Sequence, residues 1–121
     1  MAGLYVFVGG GCGALCRWGI SLVVAAPWGT FAANVLGSFL LAMVMHPGPK
    51  LTDEWKLALA TGFLGAFTTY STFNLDVMRA AQKGDWTQAA TICGITVLVC
   101  LASGLAGWQA ASWWWPSPLV S

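Results

Sequence analysis

The sequence predicts an all-α integral membrane protein with four transmembrane helices, and three observations predict it. Only 7% of the 121 residues are charged while 58% are hydrophobic, whereas a soluble globular domain carries about 25% charged residues. The apolar residues gather into four segments, each close to the roughly 20 residues that a helix needs to cross a hydrocarbon core. Short connections part them, marked by Pro27, "HPGPKLTDE" and "RAAQKGD", which carry turn-forming residues. The reading is a single four-helix transmembrane domain over residues 1–121, with no charge block, low-complexity tail or internal repeat.

The first span is expected from about Gly3 to Ala26. No Lys or Arg precedes Arg17, so the segment lacks the basic start of a signal peptide and reads as a retained span. Gly9, Gly11 and Ala14 match a G-x-G-x-x-A dinucleotide pattern on paper. The βαβ unit and ribose-binding acid that the pattern requires do not follow, because the next stretch is another span. Gly9 and Gly13, four residues apart, make better sense as close helix packing. Arg17 lies one turn further on. It either snorkels to the interface or lends positive potential to an aqueous vestibule.

The second span is expected from about Gly29 to Met45 and contains "GTFAANVLGSF". Gly29, Ala33 and Gly37 recur every four residues as a ridge of small side chains. Thr30, Asn34 and Ser38 form a polar stripe beside it. An amide near mid-membrane needs a polar partner. An interhelical hydrogen bond and a wet or ion-bearing pathway both meet that need.

The third span is expected from about Trp55 to Val77. Phe63, Phe67, Tyr70 and Phe73 fall on one face of a continuous helix. Gly62 and Gly65, followed by Thr68, Thr69, Ser71 and Thr72, make this helix breakable near its middle. In lipid a break survives only where protein or a cavity satisfies the freed backbone groups, and freed carbonyls can hold a cation. The fourth span is expected from about Thr87 to Trp113. Thr96, Cys100, Ser103 and Gly104 suit close packing and one further polar contact.

Trp28, Trp55, Trp86 and Trp113 to Trp115 mark span ends, where an interfacial aromatic belt places them. Cys12, Cys16, Cys93 and Cys100 form no C-x-x-C pair and read as small packing residues. With four spans, Lys50, Lys56 and the terminal amine share one side, and Arg17, Arg79 and Lys83 the other. Three against three leaves the positive-inside rule little to act on. Two copies inserted in opposite orientations would then form an antiparallel homodimer. Asp53, Glu54, Asp76, Asp85 and His46 are read as loop or span-end residues. Without an embedded carboxylate or a base beside a nucleophile, proton-coupled transport and hydrolysis are disfavoured. Passive conduction and a structural role remain.

"GGGCGALCRWG", "GTFAANVLGSF" and "GFLGAFTTYSTF" stand in that order across nearly the whole chain. In this the sequence resembles the CrcB/Fluc family of bacterial fluoride channels. The resemblance implies a multi-pass protein of the bacterial inner membrane, a dual-topology antiparallel homodimer whose partners are fluoride and the lipid bilayer. It implies no nucleic acid and no organic cofactor. It implies a structural Na+ at the dimer interface, held by backbone carbonyls of Gly65 and Thr68 from both subunits. The implied fluoride pore runs past Asn34, Tyr70, Phe73, Thr30 and Thr96, with Ser71 and Thr72 among its hydroxyls and Arg17 at the vestibule.

The aromatic pair would meet the ion with partly positive ring edges. The implied activity is passive, electrodiffusive export that confers fluoride resistance, with no enzymatic step. The chain departs from the family at Tyr70, where members carry Phe, and at Ile92, where some carry Tyr. One alternative, a small multidrug-resistance-type antiporter, expects a glutamate in the first span that this chain lacks. The other is a degenerate or structural subunit that needs a paralogous partner, a reading that rests on Tyr70.

Overall fold

Apolar stretches hold the helices, and Pro27, the Thr68–Thr69 pair and Gly84 part them. The computed structural model describes residues 1–47 and 50–115. The Gly48 and Pro49 part of the expected second connection, and everything from residue 116 on, lie outside the described residues. Helix α1 spans Ala2–Val23 and α2 spans Trp28–Met45, with Pro27 at the N-cap of α2. A one-turn helix α3, Asp53–Lys56, starts at Thr52, whose hydroxyl accepts from the Trp55 amide at 3.3 Å. It runs directly into a π-helical stretch, Leu57–Leu64, and then into α4, Gly65–Phe67. Helix α5, Tyr70–Gln82, follows after two extended residues. Gly84, at φ 78°, turns the chain into α6, Trp86–Trp114, which Asp85 caps through the Gln88 amide at 3.0 Å. No strand occurs among the described residues.

Three helices, α1, α2 and α6, are each long and apolar enough to cross a membrane unbroken. The third expected span is longer than expected, running from Asp53 to Gln82, and it is broken near its middle as expected, at Thr68 and Thr69. The expected aromatic stripe is split with it. Phe63 and Phe67 stack at 5.8 Å before the break, and Tyr70 and Phe73 meet edge to face at 5.6 Å after it. The π-helical stretch was not legible as a period, because a wider turn leaves no signature that composition distinguishes.

Small residues set the packing. A side chain at Gly9 would run into the Ala58 carbonyl, and one at Gly13 into that of Phe63. From the opposite side, a Cβ on Gly62 would sit 2.9 Å from the Val6 carbonyl. Helix α1 and the π-helical stretch therefore touch backbone to backbone, as the spacing of Gly9 and Gly13 suggested. The ridge on α2 behaves likewise: Gly29, Ala33 and Gly37 are all buried, and a side chain at Gly37 would overlap that of Thr68. On the other face of α2, Gly107 of α6 sits against the Phe39 carbonyl, and Ser103 Oγ donates to the Val35 carbonyl at 2.7 Å. Helix α5 packs on α6 through Phe73, Ala80, Ala89 and Ile92.

The cores are small, and most large apolar side chains point outward, among them Phe7, Leu98, Leu101 and Leu105. An outward apolar surface of this extent suits lipid and would associate in water. Trp28, Trp55, Trp86, Trp113 and Trp114 are exposed at helix ends, where an interfacial belt would place them. All four cysteines are free. Cys93 packs against the α5–α6 core as expected, while Cys12 and Cys16 are exposed.

Two ionisable groups read as loop or span-end residues are buried. His46, at the end of α2, is 1% exposed; its Nε2 lies 3.0 Å from Ser112 Oγ, and its ring meets Trp108 edge-on at 4.6 Å. Asp76 lies inside α5, on the same buried face as Phe73 and Ala80.

Candidate functional site

The site begins with the backbone at the break. Thr68 (φ −84°, ψ 153°) and Thr69 (φ −153°, ψ 122°) are extended between α4 and α5. β-Branched residues favour such dihedrals, and threonine brings a hydroxyl to cap the ends it creates. Thr68 Oγ1 donates to the Leu64 carbonyl at 3.0 Å, and Thr69 Oγ1 accepts from the Thr72 amide at 3.3 Å. In an unbroken helix the Thr69 amide would donate to Gly65, the Tyr70 amide to Ala66 and the Thr72 amide to Thr68. Here the Thr69 amide donates to Asn34 Oδ1 at 2.8 Å. Arg17 Nε donates to the Ala66 carbonyl at 3.1 Å. The Thr72 amide goes to the Thr69 hydroxyl. The carbonyls of Gly65 and Thr68 are thereby released from their helical donors.

Asn34 does more than receive one amide. Its Nδ2 also donates to the Thr69 carbonyl at 3.0 Å. The carboxamide thus replaces a missing stretch of backbone pairing, which realises the interhelical hydrogen bond expected for it. A carboxamide has two N–H donors, so this bond uses one of them. Arg17 serves the break in the same way through Nε, while it also lines a neighbouring cleft.

Around this anchor lies an open groove of about 400 Å³. Asn34 and Ser38 line it from α2, Thr69, Tyr70 and Phe73 from the break and α5, and Thr96, Cys100 and Leu101 from α6. Phe73 is buried on Ile92, while Tyr70 is 74% exposed with its ring leaning edge-on to Phe73. Most of the lining is apolar, with hydroxyl, amide and thiol groups at intervals.

A second cleft of about 210 Å³ holds Arg17, Ser21, Thr30 and Thr72. The structure therefore brings Asn34, Tyr70, Phe73 and Thr96 together in one groove and places Thr30 and Thr72 with Arg17 in another. The two meet at a hydroxyl pair, Thr69 Oγ1 and Thr72 Oγ1, 3.3 Å apart. Ser71 lines neither cleft and is exposed, its Oγ 3.3 Å from Thr69 Oγ1.

Sequence reasoning missed three features here. Thr69 was counted among the hydroxyls but given no role; its signal was a cap-forming residue just before a helix restart. Ser38 and Cys100 carry a signal too, each four residues beyond a site residue on its own helix. Asp76 gave none: it is 5% exposed, and among the described residues its Oδ2 has no hydrogen-bond partner. It opens on a small cleft with Arg79, Lys83 and Gln88, one turn beyond Phe73.

The groove, the interrupted helix and the apolar exterior define a membrane protein built to pass or hold a small solute. Residues 4–108 match the family described as "CrcB-like protein, Camphor Resistance (CrcB)". The chain belongs to that family and is a multi-pass membrane protein. It is similar to proteins named "Fluoride-specific ion channel FluC" in several Burkholderia species. The one from Burkholderia cenocepacia strain J2315 is 38% identical over 117 residues, which covers 89% of this chain and 91% of that protein. The one from Burkholderia vietnamiensis strain G4 is 38% identical over 122 residues, 93% of this chain and 94% of that protein. The one from Burkholderia pseudomallei strain 668 is 34% identical over 121 residues, with the same shares.

Proposed function

We propose that this chain is a fluoride-selective channel of the bacterial inner membrane, exporting the anion passively and conferring fluoride resistance. The observation that carries the reading is the break at Thr68 and Thr69, pinned by Asn34 beside a groove of apolar walls and spaced donors. Family membership and the names of the relatives support it.

The electrostatics of the break suit an anion path. A helix N-terminus carries partial positive charge and unpaired amides, and a C-terminus the reverse. Helix α5 begins at Tyr70, so its positive end adjoins the groove. The second N–H of Asn34 and the hydroxyl of Thr96 are neutral donors. The edges of Phe73 and Tyr70 add partial positive charge without a formal one. Such a lining replaces hydration for a small anion yet holds it weakly enough to release. A larger anion gains less from the same narrow donors. Arg17, with its remaining guanidinium donors in the neighbouring cleft beside Thr30 and Thr72, raises the local concentration of anions. The negative-inside potential then drives the ion outward.

In the same reading the 53–82 segment crosses the bilayer as a broken third span. The groove is open in one subunit, and a second, antiparallel copy closes it. The carbonyls of Gly65 and Thr68, freed of their helical donors as described above, suit a structural Na+ where two copies meet. A sodium ion bound there would contribute positive charge and cross-linking of the two breaks.

A fluoride-sensitive bacterium lacking its own exporter tests the reading. Expression of the chain should restore growth in fluoride and not in excess chloride. Growth that stays fluoride-sensitive, with the protein present in the membrane, would contradict the proposal and favour a subunit that needs a paralogous partner.

A further inference from the structure

An apolar furrow that shares no lining residue with the groove runs beside α1. Helix α1 and the π-helical stretch meet so closely at Gly9 and Ala58 that a furrow opens alongside them. Its floor is almost wholly apolar, about 420 Å³ between Val8, Cys12, Leu59 and Phe63. At Tyr5, Trp55 and Ala58 it continues into a second hollow of about 410 Å³, where Thr52 and Glu54 join the lining. The furrow is thus apolar along one length and polar at one mouth. Trp55 and Tyr5 stand partly exposed at the junction, the level where amphipathic rings meet lipid headgroups.

We propose that this furrow binds one phospholipid whose headgroup ends in a primary ammonium, of the phosphatidylethanolamine type. The apolar length accepts an acyl chain. Glu54 is the one charged side chain among the described residues that line the mouth. A carboxylate there selects a cation and forms a charge-assisted hydrogen bond with N–H donors. A quaternary ammonium has no such donor, and a glycerol headgroup has no cation. The Tyr5 hydroxyl and Trp55 indole N–H, at the same junction, are neutral donors of the kind that phosphate and ester oxygens accept from. The site shares no lining residue with the groove, so it stands independently of the conduction reading.

Native mass spectrometry of the detergent-solubilised protein, loaded in turn with phosphatidylethanolamine, phosphatidylcholine and phosphatidylglycerol, tests it. The wild type should retain the ethanolamine lipid preferentially. Glu54→Gln, an exposed change, should weaken that retention about fivefold and remove the preference. Cys12→Trp, which fills the apolar length from an outward-facing position, should reduce retention of all three lipids. Thermal unfolding of both variants checks that they fold. Equal retention of the three lipids by folded wild type, a preference for phosphatidylglycerol, or an ethanolamine preference unchanged in Glu54→Gln would overturn the proposal.

Discussion

Asn34 and Thr69 form a closed pair across two elements: the side-chain amide donates to the Thr69 carbonyl at 3.0 Å, and the Thr69 amide donates back at 2.8 Å. One side chain thereby gives the Thr69 amide the acceptor that the helix break removes and adds a second donor to the Thr69 carbonyl, which as N-cap already heads α5. Asn34→Ala should leave the Thr69 amide unsatisfied and cost about 1–3 kcal/mol of stability, read by unfolding in mixed micelles. Asn34→Asp keeps the acceptor but sets an oxygen against the Thr69 carbonyl, and should be destabilised as well. An Asn34→Asp protein as stable as the wild type would show that the donor half of the pair carries no weight.

Arg17 and Ala66 make the second replacement contact at the break. A hydrogen bond from a charged donor contributes about 1.5–3 kcal/mol. Arg17→Ala should lose about that much stability, and its fluoride flux should fall most at low fluoride, where attraction of the anion matters most. A uniform fall at every concentration would instead point to distortion of the break.

The glycines of α1 separate by what they touch. A Cβ at Gly13 would enter the Phe63 carbonyl, whereas one at Gly11 meets nothing within 4 Å. Gly13→Ala should therefore cost about 1–3 kcal/mol through overpacking, while Gly11→Ala should be neutral or slightly stabilising through helix propensity. Similar unfolding midpoints for the two variants would contradict the backbone-contact packing.

Tyr70 is exposed and Phe73 is buried on Ile92, so the two rings should answer differently. Tyr70→Phe should change stability by less than about 0.5 kcal/mol, and any change in fluoride flux then reports the phenol itself. Phe73→Ile should lower both stability and flux. Measuring flux together with the unfolding midpoint separates these effects.

Much of this was legible in the sequence, for physical reasons. The paucity of charge fixed the solvent, and the Gly9–Gly13 and Gly29–Ala33–Gly37 spacings marked the close contacts. The glycines and hydroxyls after Gly62 mark the break, and Asn34, an amide near mid-membrane, needs a polar partner. What was not legible depends on three-dimensional pairing. Nothing local says that Thr69 is the partner, or that Arg17 serves Ala66. The π-helical turns disguise themselves as an ordinary apolar run. Asp76 falls near the end of a hydrophobic stretch and reads as interfacial, yet α5 buries it on the face it shares with Phe73.

The most direct measurement is fluoride efflux from liposomes containing the purified protein, triggered by valinomycin with internal potassium and read with a fluoride electrode. Wild type and Asn34→Ala are compared, after both are shown to be folded. The account predicts rapid efflux from the wild type and its near loss in Asn34→Ala. Wild-type liposomes that release no fluoride, or a folded Asn34→Ala protein that conducts as fast as the wild type, would contradict it.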